Sequence, residues 1–73
     1  MISTIYTVAG MTTAEDARAI KDRLYLVAGI GAVATEIIPD GEARIILKHK
    51  DDVELNRSTI EAAVQEAGEY TLA

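Results

Sequence analysis

Along the first nine residues, branched and aromatic side chains alternate with smaller ones, and residues 3–9 keep the period of two expected of a half-buried strand. The period then changes. Ala17, Ile20, Leu24 and Val27 recur three or four positions apart, and this single apolar stripe predicts a helix from near Ala14 to about Ala28. Gly29 stands where a C-terminal cap belongs. Residues 30–38 predict a second strand with Val33, Thr35 and Ile37 on one face. Pro39, Asp40, Gly41 and Glu42 predict a tight turn, since proline presets φ and glycine accepts positive φ without steric cost. A third strand follows, with Ala43, Ile45 and Leu47 alternating against Arg44, Ile46 and Lys48. After a polar connection at 51–54, a second helix begins near Asn56 or Ser58. It turns Ile60, Ala63, Val64 and Ala67 inward and ends at Gly68, leaving residues 69–72 for a short last strand.

The order β-α-β-β-α-β in 73 residues predicts one α+β domain over residues 1–73, a ferredoxin-like sandwich. Its four-stranded antiparallel sheet carries two helices on one face, and the tight turn makes strands two and three a hairpin. No linker, low-complexity stretch or repeat interrupts it.

Composition removes several classes of function. There is no cysteine, so disulfides, thiolate metal sites, iron–sulfur clusters and thiol catalysis are all excluded. Seven basic against twelve acidic side chains give a formal charge of −5, which opposes nucleic-acid binding and favours a cation or a basic partner. No stretch approaches the roughly 20 apolar residues that span a bilayer, and the N-terminus lacks the basic and apolar regions of a secretory leader. A cytoplasmic setting is expected, for a whole protein or for a domain excised from a larger one.

The loop after the first strand reads Gly10-Met11-Thr12-Thr13-Ala14-Glu15-Asp16. Thr12 with Glu15, and Thr13 with Asp16, both fit the Ser/Thr-x-x-acid pattern that caps a helix. Carboxylates there also complement the positive end of the helix dipole. The same loop resembles the metal loop of the heavy-metal-associated domains of copper chaperones, mercury-binding proteins and transporter ATPases. That family's loop is Gly-Met-x-Cys-x-x-Cys; Gly10 and Met11 are kept, and Thr13 and Asp16 stand at the two cysteine positions. The likeness runs nearly the length of the chain, through Gly29-Ile30, the glycine-containing hairpin, Ile60, Ala63-Val64, Ala67-Gly68 and Tyr70, with Glu69 as one extra residue before the tyrosine.

The resemblance implies a metal-trafficking scaffold, but a hydroxyl and a hard carboxylate do not replace thiolates toward Cu(I), Zn(II), Cd(II) or Hg(II). Soft-metal binding is therefore expected to be weak or absent, with at most a weakly held heavy or transition metal ion as cofactor. Met11 could offer a thioether but reads first as a core plug beneath the loop. Thr13, Glu15 and Asp16 could offer oxygens but read first as helix caps; hard-cation sites need about six oxygens. Gly10, Thr12 and Tyr70 flank the loop, and Tyr70 reads as packing. His49, between Lys48 and Lys50, reads as a solvated strand end. Arg18, Lys21 and Arg23 form a basic patch on helix 1, where the resemblance implies docking to a protein partner such as a transporter domain.

No nucleophile–base pair is evident, so the chain reads as a non-enzyme. An acylphosphatase-type anion loop is opposed by Glu15 and Asp16, and an RNA-recognition sheet by the acidity and the few aromatics. Two alternatives keep the fold without a metal: a protein docking or self-association module using its sheet edge, and an ACT-like domain binding a small ligand.

Overall fold

A computed structural model describes residues 2–38 and 42–73; the predicted turn at Pro39, Asp40 and Gly41 lies outside the described residues. The elements follow in the order β1 (Ile2–Ala9), α1 (Ala14–Leu24), β2 (Ile30–Glu36), β3 (Ala43–His49), α2 (Arg57–Ala67) and β4 (Thr71–Leu72). The sheet order is β2-β3-β1-β4 with every pairing antiparallel, the ferredoxin-like arrangement. β3 is central, and its inward residues Ala43, Ile45 and Leu47 alternate with outward Arg44 and Lys48, as the period of two demands.

The core fills the space between sheet and helices. Ile20 and Leu24 of α1, Ile60 and Val64 of α2, and Ile45 and Leu47 of β3 are all fully buried. Both helices follow their apolar stripes. The N-caps differ: Thr13 begins α1 and Asn56 begins α2, each accepting a backbone N–H through its side chain.

Three expectations are corrected. Helix α1 ends at Leu24, not near Ala28, because the chain tightens there: the N–H groups of Leu26 and Val27 donate to the carbonyls three residues back, of Arg23 and Leu24. Val27 still packs against the core, which is why its periodicity mimicked a further helical turn. Gly29 is accordingly not a helix cap. It turns the chain into β2 at φ +93°, where an added Cβ would lie 2.6 Å from Cγ1 of Val53. The second and last strands are also shorter than predicted, since Ile37 packs against the core beyond the β2 ladder and Tyr70 precedes β4.

The third correction concerns His49, which is 3% exposed rather than solvated. It is the next inward position after Ala43, Ile45 and Leu47, so strand geometry carries it under the sheet with them. Nδ1 lies 3.1 Å from the Lys50 carbonyl oxygen and is therefore the protonated nitrogen when the ring is neutral, leaving Nε2 to accept from the Thr4 hydroxyl at 2.8 Å. Both ring nitrogens are satisfied.

Candidate functional site

The loop from Gly10 to Thr13 joins β1 to α1 at one end of the sheet. Gly10 has φ +97°, and a Cβ there would stand 3.0 Å from the Glu69 carbonyl oxygen and 3.3 Å from the Tyr70 ring. Glycine is required because the connection into β4 passes directly beside it. Met11 then turns inward and is 2% exposed, a member of the core cluster with Val8 and Ala17. The plug reading of Met11 describes its placement, and its sulfur does not face the loop's outer surface.

Thr13 is the N-cap, and the capping pattern that operates is Thr13 with Asp16, not Thr12 with Glu15. The Thr13 hydroxyl accepts from the Asp16 N–H at 3.1 Å. Asp16 Oδ2 in return accepts from the Thr13 N–H at 3.1 Å, the Thr12 N–H at 3.1 Å and the Thr12 hydroxyl at 3.2 Å. The extra residue before Tyr70 does not carry it away from the loop, because its hydroxyl donates to Asp16 Oδ1 at 2.6 Å. One carboxylate thus ties together the loop, the first turn of α1 and the approach to β4. Glu15, exposed, takes no part.

The electrostatics follow from these bonds. The Asp16 carboxyl is held at about 2, below its ordinary 3.8, first by the Tyr70 hydroxyl and next by the Thr12 N–H; burial opposes them, and Thr13 adds weaker lowering effects. Tyr70 is pushed up, chiefly because its proton is held on Asp16. Both shifts describe one strong charge-assisted hydrogen bond.

These residues do not fit a thiophilic ion. The position of one family ligand is a hydroxyl already accepting a bond, and at the other both carboxylate oxygens are engaged. Among the described residues no three His, Asp or Glu side chains are grouped to hold a metal ion, and the chain has no cysteine.

Arg18 and Lys21 line a groove of about 490 Å³ between α1 and the end of β2, together with Asp22, Thr35 and Ile37. Lys21 also extends toward the Tyr25 ring, 6.0 Å from its centre. Arg23, five residues from Arg18 on a helix of 3.6 residues per turn, does not line the groove. The three-residue patch is therefore two residues facing a groove and a third pointing elsewhere.

The βαββαβ sandwich is the ferredoxin-like fold of heavy-metal-associated domains, and this chain has that fold. The CopZ metallochaperone superposes with a TM-score of 0.76 at 18% identity, over 99% of this chain and all of that one. The N-terminal domain of ZntA in its Zn(II) form gives 0.74 at 25% identity, over 97% of this chain and 88% of that one. No family model and no curated protein matches the sequence.

Proposed function

We propose that this chain is a heavy-metal-associated-type domain in which the first loop has become a structural cap, so that it captures no thiophilic ion and acts instead by protein contact. The observation that carries the reading is the engagement of Asp16. A cation arriving at the loop would have to displace four hydrogen bonds to that carboxylate before gaining two hard oxygens. The likeness to CopZ and ZntA supports a metal-handling setting over an amino-acid-binding one.

The test is titration of the native chain with Cu(I) and Zn(II) beside the Thr13→Cys/Asp16→Cys double variant. Tight binding is expected only in the variant, with amide shifts at residues 10–16. Micromolar or tighter capture by the native chain at those amides would refute the proposal.

Contact with a partner is placed on the groove between α1 and β2. Arg18 and Lys21 offer cations there beside apolar Ile37 and Ala17, which suits an acidic protein surface with an apolar anchor. Loss of binding to an acidic partner domain on charge reversal at Arg18 and Lys21 is the measurement that tests it.

A further inference from the structure

The two edges of the sheet are treated differently. At β2 the Val33 N–H points away from β3 and donates to the Tyr25 hydroxyl at 3.3 Å. The same strand carries a bulge between Ile30 and Ala32 and a charge at Glu36. Bulges, charges and covering side chains are the devices that keep an edge from pairing.

Among the described residues the other edge has no bulge, and its one covering cation is Arg57 of α2, which lies 5.6 Å from the centre of the Tyr6 ring and donates to the Ala73 carbonyl. Strand β4 pairs only with Val8 and Ala9, and Ala73 extends it by one bond, donating to the Thr7 carbonyl at 2.9 Å. Beyond that point β4 has ended, and β1 continues for residues 2–6. Since the Thr7 carbonyl faces β4, the alternation of an antiparallel strand turns the main-chain N–H and C=O of Ser3 and Ile5 to the same side. Among the described residues no strand lies beside those groups. Residues 2–7 carry no charge and no proline, in a chain with a formal charge of −5. Ile2 and Ile5 are 47% and 58% exposed.

We propose that this free half-edge of β1 pairs antiparallel with β1 of a second copy of the chain, joining two sheets into one. A register centred on Thr4 sets Ser3 opposite Ile5 of the second copy and the reverse, so that each pair exchanges two main-chain hydrogen bonds. It also sets Ile2 opposite Tyr6 on the helix-bearing face, beside the Arg57 guanidinium that lies over the Tyr6 ring. None of the paired residues 2–6 is charged, so the strand pairing itself sets no like charges opposite each other. The pairing stops at Tyr6, where Ala73 begins. With about five residues on each side, the interface is small and the dimer belongs to the weak, concentration-dependent class.

The inference does not depend on the reading of the metal loop. Sedimentation equilibrium of the native chain from micromolar to millimolar concentration should show the mass rising from 7.8 kDa toward twice that value. Amide hydrogen exchange at Ser3 and Ile5 should slow in step, and Ser3→Pro, which removes only an outward N–H, should hold the chain at the monomer mass. A native chain that stays monomeric at millimolar concentration overturns the proposal. So does a dimer in which Ser3 and Ile5 remain unprotected while Val33 becomes protected. If Ser3→Pro does not fold, the exchange pattern of the native chain decides alone.

Discussion

At Asp16 a single side chain holds three segments, and its protonation state controls that hold. Because its carboxyl sits at about 2 in the folded chain against an ordinary 3.8, the folded state binds the proton less readily than the unfolded one. The contribution is fully present above about pH 4 and is lost as the pH falls through 2. Asp16→Asn should therefore flatten the acid limb of a stability-versus-pH curve between those values, as followed by thermal melts. An unchanged limb would mean that the Tyr70 bond is not maintained in solution. The opposite sign holds for Tyr70, whose contribution is present below its ordinary value of 10 and fades as the pH rises beyond it. Spacing alone offered two capping boxes, Thr12 with Glu15 and Thr13 with Asp16, because a helix N-terminus is a local problem; the fold uses the second. Tyr70 as the third member was not legible, since 54 residues separate it from Asp16.

Among the elements, the two helices start with unequal support. Helix α1 has the capping box and two acidic residues in its first turn, whereas α2 has no acidic residue there. Asn56 accepts from the Ser58 N–H at 3.0 Å and from its hydroxyl at 2.7 Å, and is the side-chain cap of α2. Asn56→Ala should lower stability by about 1 kcal/mol in urea unfolding, while Asn56→Asp should be nearly neutral. A loss below a few tenths of a kcal/mol would show that water caps α2 as well. The early end of α1 belongs to this scale too. Val27, three residues after Leu24, fits the apolar period well enough to prolong a predicted helix. The turn that replaces it brings the Tyr25 hydroxyl to Val33 in β2.

Across the molecule as a whole, an acidic chain sets two cations side by side in the groove between α1 and β2. Reversing both Arg18 and Lys21 to Glu adds to a formal charge of −5 and removes the cations lining the space between α1 and β2. Binding to an acidic partner domain should weaken at least tenfold, mainly through slower association, with the loss shrinking as salt is raised. Equal binding by the double variant would place the contact elsewhere. Arg23→Glu, pointing away from the groove, should have little effect. Position along the sequence groups these three cations; only the helix surface separates them.

What the chain determined by itself is what short-range pattern can specify: six elements in order, the inward residues of both helices and of β3, the neighbourhood of each helix start, and a loop without thiolates. Periods of two and 3.6 are set by backbone geometry, so they survive without any knowledge of neighbours. What only the tertiary structure decided depends on contacts between residues far apart in sequence. The histidine was expected in solvent and lies under the sheet, bonded to Thr4 across 45 residues. Likewise Tyr70 closes on the carboxylate that begins α1, Gly29 is needed because Val53 packs against it, and the brevity of β4 leaves half of β1 paired on the β3 side alone. A local pattern records which face of an element is apolar. Which other element will meet that face, and where it will stop, is set only when the whole chain has packed.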